Sequence, residues 1–169
     1  MKTQTYRHFF TRWLFVLLAV FSLAACATGP EVVDHGFGFS MFTDGQDAEL
    51  IDYRYGDSRH PGASNPELMR QEGKSDQQSG VRGEMRRGDS LYAKWRNKSS
   101  GQVYEDTVDL RHRLPADIKG DEIYFMIRGS QLYVYLITPQ KRAKDEPPNG
   151  PEMYDYRKTL TIYPDQVKR

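Results

Sequence analysis

The chain has 169 residues, enough for one hydrophobic core and short for two. Its 24 Lys and Arg nearly balance 23 Asp and Glu, which excludes the strongly basic footprint of a nucleic-acid-binding protein. A single cysteine excludes an internal disulfide, so stability has to come from burying aromatic and aliphatic side chains.

Residues 1–25 carry Lys2, Arg7 and Arg12, no acidic residue, and an uncharged run over 13–25. This is the layout of a secretory signal peptide. A membrane-spanning helix needs about 20 apolar residues, so the run reads as a leader that is removed rather than as an anchor. It ends in Leu23-Ala24-Ala25-Cys26, which resembles the lipobox of bacterial lipoproteins. That resemblance implies a diacylglycerol on the Cys26 thiol, cleavage just before it, and acylation of the new N-terminus, with palmitate as an expected chain. Two or three chains anchor a protein durably where one is marginal. Cys26 is also the sole cysteine, and a lone thiol in an oxidising compartment is a liability unless it has a use. Ala27 and Thr28 follow it, without the aspartate that retains enterobacterial lipoproteins in the inner membrane, which implies the outer membrane and a periplasmic face. Three basic residues leave with the leader, so 21 face 23 acidic ones and the mature charge is −2.

Residues 26–32 read as a tether and 33–169 as a single β-rich domain. Val33, His35, Phe37, Phe39 and Met41 alternate with Asp34, Gly36, Gly38, Ser40 and Phe42, the period of a strand with one apolar stripe. A second strand is expected over 49–55, with Ile51, Tyr53 and Tyr55 on one face and Gly56 as its end. The chain is then polar over 57–80, with room for one helix over 66–72: Asn65 as N-cap, Pro66 in the first position, Gly73 at the stop.

A hairpin follows, in which Leu91, Ala93 and Trp95 alternate with Tyr92, Lys94 and Arg96 before a loop over 98–101 and a return strand over 102–110. That loop length sets Trp95 against Tyr104, Leu91 against Val108 and Lys94 against Glu105. Residues 114–120 read as a turn. In the next hairpin a Gly129-Ser130 loop faces Ile127 with Leu132, Phe125 with Val134 and Ile123 with Leu136, while Tyr124, Met126, Tyr133 and Tyr135 line the other side. A loop over 139–152, rich in Lys, Pro and Gly, leads to a last strand over 156–163. Six or seven strands and no helix longer than two turns predict an all-β fold with minor α content: an antiparallel β-sandwich or open barrel with two long polar loops.

Motifs that carry chemistry are sparse. His8 leaves with the leader, and His35, His60 and His112 show no metal-ligand spacing, so no metal and no cofactor is expected. His35 lies on the apolar stripe and reads as a satisfied core histidine. No Gly-x-Ser-x-Gly elbow occurs, and Gly73-Lys74-Ser75 has Leu68 where a phosphate-binding loop needs its first glycine. Arg87-Gly88-Asp89-Ser90 reads as a turn and Asn97-Lys98-Ser99 as a polar loop. Asp106 falls on the face of Trp95 and Tyr104, either near a sheet edge or as a buried acid with a partner such as an arginine. The feature that points to binding is the face carrying Tyr124, Met126, Tyr133 and Tyr135, because tyrosine joins a large contact area to a low entropy loss and a polar tip. The alternative for that face is a second buried layer under the 57–80 and 139–152 loops.

The segments Val108-Asp109-Leu110-Arg111-His112-Arg113-Leu114-Pro115 and Gln131-Leu132-Tyr133-Val134-Tyr135-Leu136-Ile137 resemble small proteobacterial lipoproteins of uncharacterised function. The resemblance spans about 33–163, supports a place in the envelope and carries no catalytic motif. The expected role is a non-catalytic binding or interaction module, with the membrane as one partner through lipid on Cys26 and another protein as the second. An immunity-type protein that neutralises a secreted toxin is one specific version. An envelope enzyme acting on cell-wall polymer or lipid, and a structural subunit of an envelope complex, are the competing classes.

Overall fold

The computed structural model describes residues 31–165. Among them run β1 (Val32–Ser40), β2 (Ala48–Tyr55), α1 (Glu67–Gln71), β3 (Gln78–Arg86), β4 (Ser90–Asn97), β5 (Val103–Asp109), β6 (Glu122–Arg128), β7 (Gln131–Lys141), a 3-10 turn (Glu152–Tyr154) and β8 (Arg157–Tyr163). They form a sandwich-like all-β fold of two sheets that do not close into a barrel, one ordered β3-β1-β6-β7-β8 and the other β2-β4-β5. Cys26, the leader and most of the tether lie outside the described residues.

Both hairpins take the register their side chains specify. In β4–β5 Trp95 pairs with Tyr104, Leu91 with Val108 and Lys94 with Glu105. In β6–β7 Ile127 pairs with Leu132, Phe125 with Val134 and Ile123 with Leu136, around a turn in which Gly129 has φ +59°. A one-residue slip would turn every one of these apolar side chains to the opposite face, so the register is strongly fixed.

Three elements depart from the sequence expectation. The eighth strand, β3, emerges from the polar stretch; it is an edge strand paired only with β1, so its outward side chains stay in water and no apolar run marks it. The five-stranded sheet is also mixed, because β1 and β6 run parallel with Gly36 opposite Glu122 and Gly38 opposite Tyr124. Finally, α1 is shorter than 66–72, and Pro66 rather than Asn65 occupies its N-cap. Asn65 is buried, and its amide instead donates to the Lys74 carbonyl at 2.9 Å. Gly73 ends the helix with φ +65°, the left-handed conformation that a C-terminal stop asks for.

The core between the sheets is aromatic at its centre. Phe39 packs on Tyr53 and on Phe125 at ring-centroid distances of 4.7 Å each, and Phe37 stacks on Tyr55 at 5.1 Å. Burying each such side chain stabilises the fold by about 1.5–3 kcal/mol. Trp95 closes one end of the sandwich, its indole N–H donating to the Gly129 carbonyl at 3.0 Å, so the small sheet is tied to the tip of the β6–β7 hairpin.

Candidate functional site

The outer face of the five-stranded sheet is where the sequence placed its binding candidates, and its construction starts from two glycines. Gly36 and Gly38 lie on the outward side of β1, level with Glu122 and Tyr124 of the parallel β6. A Cβ at Gly36 would sit 2.9 Å from Glu122 Cγ, and one at Gly38 would sit 2.9 Å from Glu122 Oε1 and 3.2 Å from the Ser79 carbonyl. With no side chains in the way, Glu122 lies flat across β1. Its carboxylate accepts from the Tyr154 hydroxyl at 2.7 Å on one side and meets the Arg82 guanidinium of β3 at 3.5 Å on the other.

Tyr154 belongs to the 3-10 turn, so this bond fastens the end of the 139–152 loop onto the sheet. The fastening continues along β8. Asn149 donates to Thr161 Oγ1 at 3.0 Å, and Gly150, at φ +92°, fits against the Tyr135 ring where a side chain would collide with Thr159. Tyr154 then stands edge-on to Tyr124 at 5.3 Å. From the other end the turn after β1 contributes Asp44, which accepts from the Tyr124 hydroxyl at 2.7 Å and from Thr43 Oγ1 at 3.0 Å.

The result is a second hydrophobic cluster, made of Tyr124, Met126, Tyr135 and Ile137, with Tyr133 and Tyr154 at its border. Of the four candidate residues, Tyr124, Met126 and Tyr135 are buried, and Tyr133 alone is half-buried, stacked on Tyr135 at 6.4 Å. The cover comes from the 3-10 turn and the Thr43–Asp44 turn. No residue of the 57–80 segment belongs to this cluster: Gly62 lies against the inner face of β3, where Ser79 donates to its carbonyl at 2.7 Å, and residues 78–80 are part of β3 itself. At the end of the β6 strand opens a cleft of about 360 Å³, lined by Asp44, Asp47, Met126, Arg128 and Glu152 and by none of the tyrosines.

The electrostatics of this layer keep the phenols of Tyr124, Tyr135 and Tyr154 protonated. Burial, and then the Asp44 carboxylate, push Tyr124 far above the usual phenol range; burial and Glu122 do the same to Tyr154. Burial also raises Tyr135. A neutral phenol is a hydrogen-bond donor and a contact surface, and a weak nucleophile.

The other candidates are accounted for locally. His35 is fully buried, with Nδ1 2.8 Å from the Val33 carbonyl and Nε2 3.0 Å from the Tyr55 hydroxyl. A carbonyl only accepts, so Nδ1 carries the proton and Nε2 accepts from Tyr55; burial lowers the histidine pKa and keeps the ring neutral. Asp106 accepts from the Tyr163 hydroxyl at 2.8 Å, a link between β5 and β8, and its partner is a phenol rather than an arginine. The 87–90 turn is set by packing, since any side chain at Gly88 would run into the Tyr55 ring. Asn97 is buried and its Oδ1 accepts from the Ser100 amide at 2.8 Å, which makes it the organiser of the β4–β5 loop.

Sequence reasoning missed Asp44, Glu122 and Tyr154, the three residues that close the outer face. The signal was present in Gly36 and Gly38, two glycines on one side of a strand, which mark a place where something crosses the backbone closely.

Comparison with known proteins gives no match. No family model, no curated protein and no solved structure is similar to this chain at a significant level.

Proposed function

We propose that this chain is a lipid-anchored protein of the bacterial cell envelope whose β domain is a non-catalytic interaction module for another protein at the periplasmic face. The observation that carries the reading is in the sequence: the only cysteine stands at the end of a basic stretch and an uncharged run over 13–25, directly after Leu23-Ala24-Ala25. Six residues further on β1 begins, so a lipid on Cys26 would keep the domain within about 20 Å of the bilayer surface, the reach of six extended residues. The chemistry of the outer face speaks against catalysis there, because the Tyr124 and Tyr154 phenols are held protonated and the carboxylates Asp44 and Glu122 are occupied as acceptors. The cleft lined by Asp44, Asp47, Met126, Arg128 and Glu152 is the concave surface that such a partner would meet.

Two measurements test this. Detergent phase partitioning of the full chain and of Cys26→Ser reads the anchor: the native protein goes to the detergent phase, and Cys26→Ser moves to the aqueous phase. A photo-crosslinking residue placed at Arg128, on the border of the cleft, captures one dominant protein partner in intact cells, whereas the same residue at Thr107 on the opposite sheet does not. Equal partitioning of the two forms defeats the anchor, and equal capture from both positions defeats the assignment of the surface.

A further inference from the structure

An open sandwich has four edges, and three of them are protected. Along β2, the Gln77 side-chain amide stands in for a strand, accepting from Leu50 N at 2.9 Å and donating to Leu50 O at 2.8 Å, and the Asn65 and Ala63 backbones bond to Tyr53 and Tyr55. The outward face of β5 carries exposed Glu105 and Asp109, which repel a second copy of themselves. β8 begins with Arg157-Lys158, has no acidic residue, and is followed by Pro164, which has no N–H to donate.

β3 carries outward charges at Arg82, Glu84 and Arg86, but among the described residues nothing covers its backbone edge. It is nine residues long, pairs with β1 without a bulge, contains neither proline nor lysine, and among the described residues its backbone bonds to β1 alone. Gln78, Gly80, Arg82, Glu84 and Arg86 all point outward and are exposed. Glu84 stands directly opposite Asp34 of β1, and among the described residues neither forms an ion pair, so two like charges face each other with no cation between them.

We propose that β3 docks against β3 of a second copy, antiparallel about a two-fold axis at Gly83, so that the two five-stranded sheets become one continuous sheet. Charge fixes the occupant and the register. In this pairing Arg82 faces Glu84 of the second copy and Glu84 faces its Arg82, so the same two residues form two reciprocal ion pairs, as an isologous interface requires. Each pair also brings a guanidinium from the second copy to Glu84, which stands opposite Asp34. In the single chain Arg82 reaches back over β1 to Gly120 O and Glu122, so in the dimer its guanidinium exchanges those contacts for Glu84 of the second copy. The axis falls on a glycine at φ +149°, with Gly80 nearby, and small residues let two backbones approach closely.

The proposal is independent of the lipid anchor, and its test uses the full chain in detergent with micelles in excess. Sedimentation equilibrium is expected to show a dimer at about 100 μM, and Glu84→Arg to weaken it by about tenfold or more. The double reversal Arg82→Glu with Glu84→Arg restores the dimer, because reversed charges still face each other. Register is read by oxidising single variants Arg82→Cys and Glu84→Cys, which crosslink when mixed and not when separate. A monomeric native chain, a dimer indifferent to Glu84→Arg, or crosslinking of Arg82→Cys with itself overturns the proposal. If the double reversal loses its β circular dichroism, the cysteine mixture decides. A dimer that is displaced by a peptide spanning 78–86 supports edge pairing, and one that resists it counts against.

Discussion

The β6–β7 hairpin buries both of its faces, and the two are buried in different ways. On the inner face Ile123, Phe125, Ile127, Leu132, Val134 and Leu136 are covered by the small sheet, and none carries a polar atom in its side chain. On the outer face Tyr124, Met126, Tyr135 and Ile137 are covered by a 3-10 turn and a tight turn, each fastened to the face by a hydrogen bond between a phenol and a carboxylate, with Asn149 adding a bond to Thr161. Burial fractions hardly separate the faces: Phe125 is 0 % exposed and Tyr124 is 2 % exposed. What separates them is the cover. A sheet is held by its own ladder and opens only when the domain unfolds, whereas a loop fastened at a few points opens locally.

The largest effect that tests this contrast is on the inner face. Phe125→Ala removes the ring against which Phe37, Phe39 and Tyr53 pack, and is expected to cost about 3–5 kcal/mol in chemical denaturation, enough to unfold a marginal domain. On the outer face, Gly38→Ala forces a methyl against Glu122 Oε1 and the Ser79 carbonyl, with an expected loss of about 1–3 kcal/mol. If Gly38→Ala is neutral, Glu122 is not pinned across β1 and the outer cover is looser than described. Tyr124→Phe keeps the ring and deletes its hydroxyl, leaving Asp44 with Thr43 Oγ1 as its remaining side-chain donor. The expected cost is about 1–2 kcal/mol, with faster amide hydrogen exchange confined to the segments that cover the face. Exchange that rises throughout the domain would mean that both faces open together.

The smallest expected effect is a pH dependence from His35. Burial lowers its pKa in the folded state below the ordinary 6.5, so the unfolded chain takes up a proton first as the pH falls. Its contribution to stability is therefore complete above 6.5 and is lost as the pH drops through the folded-state pKa. Thermal melts between about pH 7.5 and 5 are expected to show that decline, and a His35→Gln variant to show a flatter one. An unchanged slope in the variant would assign the decline to other groups.

Much of the fold was legible in the sequence where neighbours along the chain decide it. The pairings of Trp95 with Tyr104 and Phe125 with Val134 follow from alternation and loop length, because a hairpin closes on itself. His35 was legible as a core residue from its place on the stripe with Phe37 and Phe39. β3 was not, since an edge strand needs no apolar run, and the parallel contact of β1 with β6 joins segments far apart in sequence. The candidate site was half legible: the tyrosines were found, and their cover was assigned in part to a segment, 57–80, that lies elsewhere.

The sequence by itself determined the two hairpins and the all-β class, because each rests on local spacing or composition. Tertiary structure alone decided that the tyrosine face is covered, that Glu122 crosses β1 over two glycines, and that β3 is left as the open edge. Those outcomes depend on which distant segments meet, and periodicity along a chain carries no information about that.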